Sequence, residues 1–169
     1  MSQLIIGHGL EILETNHIKE YMERSGEDWE MEHLTATERR TTELGSSRIQ
    51  YLAGRFAVKQ AVLKILGISV CSDCPWLDIE VQRLPTGQPA LVLSGKCQEI
   101  AAEFGITKWL LSISHTSSYV AASVLALRGN VTDFRVCSKR FSAYGTKVPT
   151  TNPRLKAGGL SEVETHPTV

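Results

Sequence analysis

Within "YLAGRFAVKQAVLKILG", residues 51–67, Gln60 and Lys64 stand one helical turn apart, and Arg55 and Lys59 add two more cations. Three cations over ten residues beside a tight Ala-Gly start suit a multiply charged ligand such as a phosphate ester. Counted at about 100° per residue from Arg55, the positions Phe56, Val58, Val62, Leu63, Ile65 and Leu66 spread over more than half the circumference, so the helix is expected to be mostly buried. Gln60 and Lys64 fall in the remaining sector between Ala53 and Ala57, whose short side chains leave room for a ligand. Read by itself, that strip is also an ordinary solvent face. Arg55 and Lys59 weigh against this, because both project into the apolar sector and need an anionic partner there.

Two other positions are candidates for chemistry. Glu11 follows Gly7 and Gly9, which places a carboxylate where backbones pack closely and a metal can be held by oxygen; alone, it also reads as a surface acid. In "SISHTSSY", His115 ends a strand among hydroxyls, as a phosphate or base contact or as a satisfied loop residue. His8 and His17 are weaker, since a His8–Glu11 metal pair requires helical geometry that Gly7 and Gly9 oppose. Cys71 and Cys74 form one CxxC, but Cys97 and Cys137 stand alone and supply no second ligand pair, so a loop with thiols is expected. There is no GxxxxGKS or GxxxxGKT, no GxGxxG after a strand and no GxSxG, which leaves P-loop hydrolysis, dinucleotide binding and esterase chemistry without support.

The elements that must position these residues follow from periodicity and breakers. "LIIGHG" reads as a short strand broken by Gly7 and Gly9, and Asn16 as the cap of a helix ending before Gly26. Thr35 to Glu38 and Ser47 to Gln50 match the capping-box pattern, and Gly67 stops the helix in question. Leu77, Ile79 and Val81 then alternate as a strand, "PTGQP" turns the chain into "ALVLS", "GKCQEIAAEFG" forms a helix, and "KWLLSIS" and "YVAASVLAL" form two strands. Helices early and strands late predict an α+β domain with an antiparallel sheet.

The chain has 169 residues, 42% hydrophobic and 21% charged, enough for one core. Eighteen basic residues balance eighteen acidic ones, so no overall field points to nucleic acid or membrane, and anions must be met by local charges. Without a basic leader or an uninterrupted apolar run near Met1, the expected location is the cytoplasm. Aliphatic residues thin out after Leu127, so residues 1–127 are expected to form the domain and 128–169 a flexible tail.

Taken in order, "IIGHGLEILE", "HLTATE", "AGRFAVKQAVLKILG", "DIEV", "GQP" and "SISH" closely resemble the holo-acyl-carrier-protein synthase family of 4′-phosphopantetheinyl transferases over about residues 4–127. The resemblance implies compact α+β subunits in a homotrimer with active sites between subunits. It implies transfer of the phosphopantetheine arm of coenzyme A to a serine of an apo acyl carrier protein, releasing adenosine 3′,5′-bisphosphate, with magnesium at the pyrophosphate. On that basis Glu11 and Gln60 fall on the metal-ligand positions and Lys64 on the pyrophosphate contact. Arg55 and His115 fall near the 3′-phosphate, and Gly87 with Pro89 at the adenosine.

This sequence departs from the family pattern at two of those places and on the surface expected to meet the carrier. Glu11 stands where aspartate is usual, and Gln60 where glutamate is usual. The latter removes one negative charge and implies weaker metal binding that leans on phosphates already bound. His17, Lys19 and Arg24 are interleaved with Glu20 and Glu23, and Glu32 replaces a usual arginine, which favours a less acidic carrier. An active transferase with a divergent metal site and a non-catalytic protein that binds coenzyme A or carrier both follow from this pattern.

Overall fold

The computed structural model describes residues 4–40, 45–69 and 74–129. Its first strand, β1 (Leu4–Glu14), runs through both early glycines instead of stopping at them. The reason is tertiary: β1 pairs antiparallel along its length with β5 (Tyr119–Arg128), with one register irregularity between Ile5 and Gly7. On its other edge β5 pairs with β4 (Lys108–His115), giving a three-stranded antiparallel sheet in the order β1-β5-β4. Alternation then sorts β5, with Val120, Ala122, Val124 and Ala126 fully buried on the face that a long helix covers.

That helix is α4 (Gly45–Ile65), and the breadth of its apolar surface is explained by contact on two flanks. Between Leu52 and Leu63 every residue is buried except Gln60. Gly67, at φ 71°, ends it as expected, while Ile68 N–H reaches back to Leu63 O at 2.9 Å. Its start differs from expectation, because Ser47 lies inside the helix rather than at its cap.

Shorter elements line the second flank. They are α1 (Thr15–Ser25), α2 (Glu27–His33), α3 (Ala36–Arg39), a 3₁₀ turn (Trp76–Asp78), the hairpin β2 (Ile79–Arg83) and β3 (Pro89–Leu93), and α5 (Gly95–Glu103). Because β1 passes directly into α1, Glu14 takes the cap position and Asn16 is already helical. Leu77 belongs to the 3₁₀ turn and is exposed, so the alternation of the hairpin begins only at Ile79. The capping box of Thr35 and Glu38 is present in both directions. An antiparallel α+β fold is thus what the periodicity predicted, and β5 ends at Arg128. The expected tail from residue 130 onward lies outside the described residues.

Lys59 is where expectation and structure part most. It is fully buried, and its three donors meet Glu38 Oε2 at 2.7 Å, His33 O at 2.8 Å and Trp76 O at 3.0 Å. Glu38, equally buried, also accepts from Thr35 N at 2.8 Å and Val81 N at 2.9 Å. Burial pushes the Lys59 ammonium below its ordinary value, and the adjacent Glu38 carboxylate opposes that shift. The anion that Lys59 needed is therefore internal, and this cation is removed from the ligand set. The pair pins α4 to α3, the 3₁₀ turn and β2. Lys59→Met leaves Glu38 charged and unpaired in the core, and is expected to cost about 3–5 kcal/mol; a midpoint unchanged in urea unfolding would refute this.

Candidate active site

The first cluster forms where β1 lies on α4. A Cβ on Gly9 would stand 2.4 Å from Ala61 O, so only glycine permits this approach of two backbones, and a Cβ on Gly7 would meet Ile65 Cγ2 at 2.8 Å. Residues 7, 9 and 11 share one face of β1, so the same approach carries Glu11 to the helix. Its Oε1 lies 2.5 Å from Lys64 Nζ, with the carboxylate side chain 12% exposed and the lysine side chain 60% exposed. This is an ion pair without hydrogen-bond alignment, since Glu11 Oε1 is a buried acceptor that makes no hydrogen bond. One turn before Lys64, Gln60 Oε1 is likewise buried with no hydrogen bond.

A buried amide oxygen with no partner, beside a carboxylate oxygen met only by the Lys64 ammonium, is uncommon in a folded chain and calls for a ligand. Both are hard donors of the kind that magnesium accepts, with further oxygens to come from water or phosphate, so Glu11 and Gln60 fit a magnesium ion. Among the described residues no group of three or more His, Cys, Asp or Glu could hold a metal by itself. Of the CxxC, Cys71 lies outside the described residues, and the Cys74 thiol donates to Ser69 O at 3.0 Å. Cys97 is fully buried, and burial pushes its thiol up to about 12.

Arg55 belongs to a different patch. It stands nine positions before Lys64, which at 3.6 residues per turn puts the two on opposite sides of α4, about 180° apart. Its guanidinium lies over the Tyr51 ring, 3.3 Å from the centroid, and Nη1 donates to Tyr51 O at 3.4 Å. Nε is buried without a partner. Burial lowers the Arg55 pKa, the Tyr51 and Glu38 contacts raise it, and the Arg83 charge lowers it further.

Arg83 and Tyr51 are the neighbours that sequence reasoning missed; the four-residue spacing of Tyr51 and Arg55 is the signal that was available. Arg83 Nη2 also lies 4.0 Å from the place of a Cβ on Gly87, whose φ of 84° makes the β2–β3 turn. Pro89 opens β3 opposite Arg83. A third position, His115, is exposed at the end of β4, just before a turn held by Gln50 Nε2 on Thr116 O at 3.0 Å. Beside that turn a hollow is lined by Thr15, Lys19, Ser46, Gln50 and Ser117. His8, the weaker histidine, faces away from α4 toward Ser123 Oγ at 3.0 Å.

Residues 8–124, which contain all three patches, match the family model of the 4′-phosphopantetheinyl transferase superfamily. The chain belongs to that superfamily. Among its relatives, the holo-acyl-carrier-protein synthase of Caldanaerobacter subterraneus is 37% identical over 121 residues, 72% of this chain and 94% of that protein. The synthase of Koribacter versatilis is 34% identical over 122 residues, covering 72% and 98%. Among solved structures, the holo-acyl-carrier-protein synthase of Plasmodium yoelii superposes with a TM-score of 0.65 at 31% identity, over 77% of this chain and all (100%) of that one. That of Bacillus anthracis, in complex with CoA (3′,5′-ADP), gives 0.61 at 30% identity over 74% and 98%.

In this phosphopantetheinyl transferase the first cluster depends on a contact that cannot yield, because the atom facing Gly9 is backbone. Gly9→Ala is expected to destabilise the protein by about 1–3 kcal/mol, whereas Gly26→Ala, where a Cβ meets nothing within 4 Å, carries only the penalty of its φ of 58°. Thermal unfolding of both variants checks the difference, and equal shifts would contradict the steric account.

Proposed function

We propose that the transferase moves 4′-phosphopantetheine from coenzyme A to a serine hydroxyl of an apo acyl carrier protein, releasing adenosine 3′,5′-bisphosphate. One observation carries this reading: a carboxylate, an ammonium and an unsatisfied amide oxygen meet at the single gap in the buried stretch of α4. A diphosphate bound there would find the Lys64 ammonium on one side. Glu11 and Gln60 would hold magnesium, which would neutralise charge developing on the pyrophosphate as the serine oxygen displaces its bridging oxygen at phosphorus. Arg55, whose Nε is buried without a partner, and the exposed His115 suit the 3′-phosphate. Gly87 and Pro89 suit the adenosine.

Because Arg55 and Lys64 face opposite ways on α4, one chain does not offer both to one coenzyme A. This supports a site completed by a second copy, and with it a homotrimer. The outer face of the sheet suits such contact, with Leu10 54% and Ile12 63% exposed beside small residues of β5. On α1, Lys19 lies 3.6 Å from Glu23 and Arg24 3.4 Å from Glu20. Cations already matched by neighbours attract an acidic helix weakly, which supports a less acidic carrier.

The test is incubation with coenzyme A, magnesium and a panel of apo carriers, read by intact-mass spectrometry, and a phosphopantetheine adduct on one carrier is the expected result. Arg55→Ala and Lys64→Ala are each expected to lower kcat/KM by about a hundredfold or more. Co-expressing the two variants should restore part of the activity, since mixed assemblies regain sites with both residues. Absence of any recovery would place both residues in one chain's site and sink the shared arrangement.

A further inference from the structure

Resting on the proposed reading of this site, we infer that its ligands bind in order: the diphosphate of coenzyme A first, the divalent cation second. Glu11 contributes one negative charge, Lys64 one positive charge and Gln60 none, so the protein side of the cluster is neutral. The Glu11 carboxylate is 12% exposed and its buried Oε1 lies 2.5 Å from the Lys64 ammonium. A divalent cation entering alone meets that ammonium at the carboxylate it requires, and gains one charged oxygen and one amide oxygen. This is a poor exchange for an ion that gives up water reluctantly and prefers carboxylates.

The lysine is built to move. Its side chain is 60% exposed, on a strip bordered by solvent, while Gln60 and Glu11 keep their oxygens below it. A diphosphate arriving at the strip offers Lys64 a second anion, draws the ammonium off Glu11, and adds its own oxygens to the two buried ones. Three changes then act in one direction: the repelling charge moves away, the carboxylate is released and the local charge becomes negative. By linkage the cation must strengthen coenzyme A binding by the same factor. Gln60 is the residue that sets the order, because a carboxylate at that position would give the cluster net negative charge without any ligand.

Manganese(II) is the probe, with the free ion followed by electron paramagnetic resonance in the full chain. Its binding is measured with and without saturating coenzyme A, and coenzyme A alone serves as the blank. The apparent Mn2+ affinity is expected to rise about tenfold or more with coenzyme A present, and calorimetry should show coenzyme A gaining the same factor from Mn2+. Gln60→Glu and Lys64→Met are both expected to tighten Mn2+ binding in the absence of coenzyme A, the first by adding an anion and the second by freeing Glu11. Equal Mn2+ affinities in the two states, no uptake of Mn2+ in either, or two variants that leave the ligand-free affinity unchanged would each overturn the order. If coenzyme A binds while the Mn2+ affinities are equal, the order falls and the transferase reading stands. If coenzyme A binds under no condition, both fall together.

Discussion

The site depends on two backbones lying closer than any side chain allows. With Ala61 O standing 2.4 Å from the empty Cβ position of Gly9, β1 is held on α4 by main chain rather than by interdigitated side chains. Such a contact fixes the separation tightly, because neither partner has a rotamer to change. Two residues further along the strand, Glu11 inherits that separation and reaches Lys64. The sheet then backs the arrangement, with small Ala122 and Ala126 in β5 filling the shallow space that remains under the helix.

On the opposite flank a buried ion pair fixes the same helix by different means. Isolated charges in a dry interior are costly, yet every donor of Lys59 is satisfied and Glu38 ties in the backbone of β2 and of its own cap. Around it Trp29, His33, Phe56 and Trp76 form an aromatic cluster with ring centroids 5.0–5.3 Å apart. The three cations between Arg55 and Lys64 therefore have three fates: Lys59 is consumed by the core, Arg55 is desolvated over an aromatic ring, and Lys64 stays at the solvent edge. Position on the circumference, rather than residue type, decides which charge is available for chemistry.

This also marks what could be read from the residues. The breadth of the apolar surface of α4, the strip carrying Gln60 and Lys64, the stop at Gly67 and the late antiparallel strands were legible, because each rests on local period or on a single backbone conformation. The Glu38 partner of Lys59 was not, although both residues had been singled out, because a capping-box glutamate looks fully used by its own helix. Nor did Gly7 and Gly9 break the strand. Glycine weakens an isolated strand, but here β5 supplies the pairing and α4 supplies the reason for glycine. Arg55 and Lys64 were grouped as one cationic set by sequence distance, and the turn of the helix separates them.

Cys97 sits at the far end of this framework, in α5, with its N–H 3.4 Å from Asp78 Oδ2 and its thiol held at about 12. A soluble alkylating reagent needs both access and a thiolate, and the native packing denies both. Modification at this position therefore proceeds through transient opening of α5 from the 3₁₀ turn. Followed at Cys97 itself, apart from Cys71, Cys74 and Cys137, its rate reports local opening of the hairpin side.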